Sequence, residues 1–189
     1  MLFRSSYVKT LSEITLEITR TGGECALDFE PALANLALVG RVEVNGRPAT
    51  YDQQILAEHH HLRIKVALKE GKNVVRIPVT NDFGLSYALR LPELGSASSE
   101  LRILSEKMED VTAPMELVVE GRAGATYELA VWNPGMIVSA EGAELVKDAT
   151  GSANLRIRFG GVDGQGYTQQ KVTIHLQAPK SVRKKRAKQ

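Results

Sequence analysis

The tripeptide Asp82-Phe83-Gly84 is the first group whose residue types suggest chemistry, because the same three residues hold the catalytic metal in protein kinases. That use also needs a glycine-rich phosphate loop, a strand lysine and an upstream His-Arg-Asp loop, and the sequence has none of these. Here "TNDFG" lies between two alternating apolar runs. Asn81 and Asp82 are suited to capping backbone groups, and Gly84 to a positive φ. We therefore predict a turn at these residues and not a metal site.

A second candidate is "EHHHL", in which Glu58 precedes three histidines. On a strand, His59 and His61 point to one side and His60 to the other, so a transition-metal site would need a third ligand from elsewhere. We favour an exposed polar loop that enters a strand, and we assign no metal and no cofactor. The fourth histidine, His175, falls on the outer face of a strand without an evident partner.

Aromatic side chains give the third candidate, because an exposed aromatic face can stack on a sugar ring. In "TYELAVWN", Tyr127 shares its strand face with Leu129 and Val131, which places Tyr127 in a core. Trp132 falls on the opposite face or at the strand end before Asn-Pro-Gly. We favour packing in the core or between domains for Trp132. In the alternative, Trp132 and Tyr167 are the ligand-binding residues of a carbohydrate site.

Motifs of common enzymes do not occur in the sequence, which lacks a nucleophile elbow, a Walker loop, a His-Glu-x-x-His pair and an EF-hand loop. The glycine-rich run at 160–166 precedes a strand, so no helix N-terminus is available there to hold phosphate. Cys25 is the single cysteine, and it alternates with Leu27 and Phe29 as a small buried hydrophobic residue would. We predict that the chain is not an enzyme, and a hydrolase with an unrecognised site is the weakest of the alternatives.

Composition and charge are those of a globular protein, with 43% hydrophobic and 24% charged residues among 189. The segment 180–189 carries six basic residues and no acid, and 18 basic and 22 acidic residues remain in the rest of the chain. We predict a disordered, solvated tail with no specific nucleic-acid partner. No apolar run approaches the length of a transmembrane helix, and no signal peptide is visible in the opening residues.

A period of two dominates the sequence and predicts half-buried antiparallel strands. Clear examples are "SEITLEIT", "ECALDF", "LRIKVAL", "NVVRIPVT" and "LSYALRL". Because Pro78 lacks an N–H group, we expect its strand to lie at a sheet edge or to bulge there. The best helical candidate is "EPALANLALVG", which also reads as a single turn that leads into a strand.

Two domains follow from the spacing of turn signals. The small-residue stretch "GSASS" at 95–99 separates two series of strands, and turn signals then recur every 10 to 15 residues. We predict an all-β protein of two tandem antiparallel β-sandwich domains. The first covers residues 1–95 and the second covers 100–179.

Two stretches of the first half, "RVEVNG" and "LKEGKNVVRI", carry a strand-turn "V-x-V-N-G" and a later "L-x-E-G-x-N-x-V-x-V". Over residues 40–83 the chain thereby resembles bacterial immunoglobulin-like and fibronectin-III-like modules. The resemblance implies that the two sandwich domains are of the immunoglobulin-like type. It also implies a non-catalytic spacer or docking role in a larger secreted or cell-envelope protein. The implied partners are neighbouring domains of a parent protein or a polysaccharide.

Overall fold

The computed structural model describes residues 2–56, 59–89, 91–95, 98–109, 112–161 and 166–177. Within them the fold is all-β, with antiparallel strands and one short 3-10 turn. The chain divides into two compact units, Met1–Gly84 and Leu85–Gln189. The basic tail at 180–189 and Glu58 lie outside the described residues, and so does most of the glycine-rich run.

The first unit contains two antiparallel sheets. Its strands, in chain order, are β1 (Leu2–Lys9), β2 (Glu13–Thr21), β3 (Cys25–Phe29), β4 (Ala32–Ala34), β5 (Leu38–Val39), β6 (Glu43–Val44), β7 (Arg47–Pro48), β8 (Asp52–Ile55), β9 (His59–Leu68) and β10 (Gly71–Thr80). One sheet has the order β1-β2-β10-β6-β7, with β5 also paired to β10. In the other sheet β9 lies between β3 and β4 on one side and β8 on the other.

Alternation in the sequence places one face of each long strand in a shared core, as predicted. The buried side chains of β2, β9 and β10 supply most of this core: Ile14, Leu16, Ile18, Leu62, Ile64, Val66, Leu68, Val75, Ile77 and Val79. The predicted strands "SEITLEIT", "ECALDF", "LRIKVAL" and "NVVRIPVT" are therefore confirmed on the two sheets. The immunoglobulin-like type of the arrangement stays a prediction.

The turn "VNG" and the stretch "EGKN" are joined by a hydrogen bond between their asparagines, Asn45 and Asn73. Asn73 is fully buried, and its side chain binds the backbone N–H and carbonyl of Lys69 at 2.9 and 2.8 Å. Asn45 lies in the left-handed region with φ of 52°, and its amide donates to Asn73 Oδ1 at 3.2 Å. Asn45 Oδ1 in turn accepts from the N–H of Val74. These bonds join the β6–β7 turn to the start of β10.

Pro78 does not lie in an edge strand. This corrects the expectation of a sheet edge that was based on its missing N–H group. β10 is a central strand, with β2 on one side and β5 and β6 on the other. The Pro78 carbonyl accepts from the N–H of Gly40 at 2.8 Å. Since neither β5 nor β6 lies directly opposite Pro78, the absent donor leaves no ladder hydrogen bond unmade.

The second unit has two four-stranded antiparallel sheets. Its strands are β11 (Gly84–Ser86), β12 (Arg102–Lys107), β13 (Met115–Arg122), β14 (Thr126–Trp132), β15 (Ile137–Glu141), β16 (Glu144–Lys147), β17 (Ala153–Arg158) and β18 (Tyr167–Leu176). The sheet orders are β11-β14-β17-β16 and β12-β13-β18-β15. The 3-10 turn Pro134–Met136 connects β14 to β15.

The boundary between the two units follows Gly84, about ten residues before the predicted linker, and Tyr87 belongs to the second unit. Its hydroxyl bonds to the carboxylate of Glu100, and its ring packs edge-on against Tyr127 in the second unit. Among the described residues of the expected "LSYALRL" strand, only Leu85 and Ser86 belong to β11, and Leu89 and Leu91 are exposed. The first compact unit therefore ends at Gly84, before the predicted end of the first domain at residue 95.

Tyr127 is half-buried and lies on the same face of β14 as the fully buried Leu129, which is the face that its position in the strand predicted. Its ring packs edge-on against Phe159 at 5.6 Å, and its hydroxyl donates to the carbonyl of Ser99 and accepts from the N–H of Arg122. Gly121 lies beside both rings, and a Cβ there would lie 2.5 Å from a Phe159 ring carbon. Glycine is therefore required for this close approach.

Two local features differ from the expectations. β1 was not predicted, because "LFRSSYVK" shows no clear apolar alternation, and residues 3–8 are exposed on both faces. The helical candidate at 30–40 forms β4 and β5 with a turn between them, which is the alternative of a turn leading into a strand.

Candidate functional site

The solvent-facing side of β14, β17 and β16 gathers polar side chains in rows, and we call it the outer face. The register pairs Glu128 with Arg156 and Arg156 with Glu144. In an antiparallel sheet, directly paired residues point to the same side, so these side chains lie in one row. The outer face comprises Thr126, Glu128, Ala130 and Trp132 of β14, Asn154, Arg156 and Arg158 of β17, and Glu144 of β16.

Charges on the outer face are paired with one another. Glu128 Oε1 accepts from Arg156 Nε at 2.9 Å, and its Oε2 accepts from the amide of Asn154 at 3.0 Å. Glu144 Oε2 accepts from Arg158 Nη2 at 3.0 Å. A shallow pocket of about 190 Å³ lies beside Glu144, Arg156 and Arg158. These groups present fixed donors and acceptors to solvent, which suits hydrogen bonding to a polyhydroxylated ligand.

Trp132 stands at the end of β14 on this face. It is 37% exposed, whereas Leu129 on the opposite face is fully buried, so the predicted division between the two strand faces is confirmed. The favoured placement of Trp132 in the core is corrected, because its position in the strand directs the ring away from the interior. The left-handed Asn133, with φ of 58°, then turns the chain into the 3-10 turn.

The "DATGS" turn beside Trp132 is held by one carboxylate. Asp148 Oδ1 accepts from the hydroxyl of Thr150 at 2.7 Å and from the N–H groups of Thr150 and Ser152 at 2.8 and 3.0 Å. The Thr150 hydroxyl makes the largest contribution to lowering the pKa of Asp148. Continuing the β14–β17 register places Ser152 opposite Trp132. The carboxylate therefore fixes the backbone beside the indole.

Tyr167 lies in the other sheet of the unit, at the start of β18. It is 37% exposed, and its hydroxyl donates to the carbonyl of Ser98. The guanidinium of Arg102 stacks on its ring at 5.1 Å from the ring centre. Trp132 and Tyr167 therefore lie in different sheets of the unit, and a ligand role for either residue stays a prediction.

The three histidines lie on β9 and not in a loop, which corrects that expectation. The rings of His59 and His61 are 4.9 Å apart on one face, and His60 is buried on the other, as the strand periodicity predicted. Among the described residues, no group of three or more His, Cys, Asp or Glu side chains is placed to hold a metal ion. His59 and His61 thus have no third ligand in the described part of the chain.

A polar cluster that the sequence did not predict consists of the buried Asp82 and His60 and the partly exposed Lys9. Asp82 Oδ2 lies 2.6 Å from Lys9 Nζ, and Oδ1 accepts from the N–H of Ala34 at 3.0 Å. Burial lowers the pKa of His60, and the nearby Asp82 carboxylate partly opposes this shift. Asp82 therefore links β1, β4 and the end of β10. The positive φ in its turn belongs to Asn81, at 59°, and not to Gly84 as predicted.

Cys25 contributes to an apolar slot in the first unit. The slot has a volume of about 340 Å³ and lies between β1 and β2 on one side and β3 and β9 on the other. Its lining includes Phe3, Leu16, Leu27 and Phe29. The thiol is half-buried and not fully buried as expected, because β3 is an edge strand.

None of the described residues belongs to a helix with the length and hydrophobicity needed to span a membrane. No family model, curated protein or solved structure matches this chain.

Proposed function

We propose that this chain is a non-catalytic spacer or docking module of a larger bacterial secreted or cell-envelope protein. The origin and location in this proposal rest on the resemblance of residues 40–83 to immunoglobulin-like and fibronectin-III-like modules. The partners would be neighbouring domains of that parent protein or a polysaccharide.

The proposal rests on one observation: the carboxylates that could act in catalysis are already bound to other groups of the protein. Asp82 is held by Lys9 and by a backbone N–H group. Glu128 and Glu144 are each bonded to an arginine of the neighbouring strand. A carboxylate that serves as a general acid or base needs access to the substrate proton. These contacts support a framework role in which the charges stabilise loops and sheets.

A panel of chromogenic glycosides, esters, phosphates and peptides tests the non-catalytic part. The full chain is expected to turn over none of them above the buffer rate. Turnover that disappears in Glu128→Gln or Glu144→Gln, with the far-UV circular dichroism unchanged, would overturn the proposal and assign an active site to the outer face.

Carbohydrate binding is the second candidate, and it is favoured by the exposure of Trp132 next to the rows of hydrogen-bonding groups on the outer face. An indole supplies a flat apolar surface, and Glu128, Asn154 and Arg156 supply polar contacts at fixed positions. In this candidate, Trp132 stacks on a sugar ring and the polar rows bind its hydroxyl groups.

A glycan array with the wild type and Trp132→Ala tests this second candidate. Val138→Ala is the matched control, since Val138 is an exposed apolar residue of the other sheet. The candidate requires binding by the wild type and by Val138→Ala, and loss of binding by Trp132→Ala. Tyr167→Ala tests the other predicted contact separately. If the wild type binds no glycan, carbohydrate binding is rejected.

A further inference from the structure

Strand β1 lies at an edge of its sheet in the first unit, and within the described residues only one of its two sides is paired. β1 pairs with β2 along all eight residues from Leu2 to Lys9, without a register shift, and nothing pairs with its other edge in the described residues. Such an edge presents a row of unpaired N–H and C=O groups to any strand that can approach it.

Most other sheet edges in the described residues are short or irregular. β7 has two residues and ends in a proline, and β4, β5, β8, β11 and β16 have four residues or fewer. β12 and β15 each contain a register shift, whereas β3 is a regular edge of five residues. Short length, proline, bulges and charged side chains are the usual devices against edge-to-edge pairing. β1 is longer, regular and free of proline, and of these devices it has only the charged residues Arg4 and Lys9.

Space is available beside β1. The inward-facing Ile14, Leu16 and Ile18 of β2 are buried, whereas Phe3 and Tyr7 on the same side of β1 are 50% and 51% exposed. The second sheet therefore covers β1 only in part, and the half-exposed side chains leave room for a strand at this edge. Tyr7 packs edge-on against Phe29 at 6.3 Å, and Phe3 lines the apolar slot.

Hydrogen bonding defines which backbone groups are free. Thr10 donates its N–H to the carbonyl of Glu13, so the pair Thr10–Glu13 is of the hydrogen-bonded kind. Because this kind alternates along an antiparallel ladder, the even-numbered residues of β1 bond to β2. The N–H and C=O groups of Phe3, Ser5 and Tyr7 therefore point to the free edge.

We propose that a second copy of this chain occupies the edge, with the two β1 strands antiparallel about a two-fold axis at Ser5. This register pairs Phe3 with the other copy's Tyr7, and Ser5 with its counterpart. All three free residues then form hydrogen-bonded pairs, and opposite residues share a sheet face. It also sets Arg4 opposite Ser6 and Leu2 opposite Val8, so no like charges lie directly opposite each other, and the two Arg4 residues are diagonal neighbours. Two aromatic cross-strand pairs form.

Sedimentation equilibrium of the full chain tests the association. A strand-edge interface of this length is small, and interfaces below about 1,200 Å² are typical of weak complexes, so the series must extend to high protein concentration. The average mass is expected to rise from 20.7 kDa towards twice that value. A mass that stays at one chain throughout the series would overturn the proposal.

Ser5→Pro tests the edge. The N–H of Ser5 points away from β2, so proline removes a donor that the monomer does not use, and folding is preserved. This variant is expected to remain monomeric where the wild type associates. A dimer that persists in Ser5→Pro would place the interface elsewhere and overturn the proposal.

Disulfide trapping tests the register in a Cys25→Ala background, which removes the native thiol. Ser5→Cys places two cysteines in a hydrogen-bonded pair, where Cα atoms are about 5.5 Å apart and within disulfide range. It is expected to form a covalent dimer under mild oxidation. Ser6→Cys is the matched control, because Ser6 lies opposite Arg4. Preferential cross-linking of Ser6→Cys would refute the register, and the absence of cross-links in Ser5→Cys would refute the pairing.

Discussion

Replacing Asn73 by alanine is expected to destabilise the first unit strongly. Asn73 has no exposed surface, and its side chain makes four hydrogen bonds: it accepts from Lys69 N–H and from the Asn45 amide, and it donates to the carbonyls of Lys69 and Gly71. Alanine removes all four and leaves these partners without the buried amide.

The size of the effect follows from these bonds. Each contributes about 1 kcal/mol net, and water reaches some of the released partners, so the free energy of unfolding should fall by about 2–4 kcal/mol. A unit of 84 residues has a total stability of about 4–13 kcal/mol, so this loss is a large share of it. The double variant with Asn45→Gly should be less destabilised than the sum of the single changes, since the two side chains share a bond.

Urea denaturation followed by far-UV circular dichroism measures this change. The only tryptophan, Trp132, lies in the second unit, so its fluorescence gives an internal reference for that unit. Asn154→Ala is the matched control, because it removes a more exposed amide with one hydrogen bond to Glu128. A loss below about 0.5 kcal/mol for Asn73→Ala, or strict additivity with Asn45→Gly, would refute the role of this network.

Three further predictions concern other sites. The pKa of His60 is lower in the folded chain than in the unfolded chain, so the unfolded chain takes up the proton first as the pH falls. The free energy of unfolding of the first unit should therefore decrease below about pH 6.5. In urea titrations at a series of pH values, His60→Gln should reduce this dependence on pH. Gly121→Ala should destabilise the second unit by about 1–3 kcal/mol through overpacking, measured by Trp132 fluorescence, and an unchanged midpoint would contradict the packing. Thr150→Val should raise the pKa of Asp148 in an NMR titration, and an unmoved titration would show that its hydroxyl does not hold the carboxylate.

Local patterns predicted the long strands well. Ile14, Leu62 and Val75 are buried because alternate residues of a strand face the same side, and this rule needs no knowledge of the neighbours. The same rule separated Trp132 from Tyr127 and His60 from His59. Turn composition likewise identified the "TNDFG" corner, although the positive φ belongs to Asn81.

The remaining features of the fold depend on contacts between residues that are far apart in the chain. Pro78 was expected at an edge because the sequence shows its missing donor but not the Gly40 N–H group that its carbonyl meets. Asp82 is tied to Lys9 at the other end of the first unit, and no local pattern connects these two residues. The outer face exists because the register brings Glu128, Arg156 and Glu144 into one row.

The sequence by itself determined the all-β class, the inward and outward residues of the long strands and the positions of most turns, since these depend on neighbours a few residues apart. Only the tertiary structure decided which strands are central and which lie at an edge, because pairing joins segments far apart in the chain. β1 shows the difference: its residues carry no clear strand pattern, and its unpaired edge appears only once β2 has paired on one side.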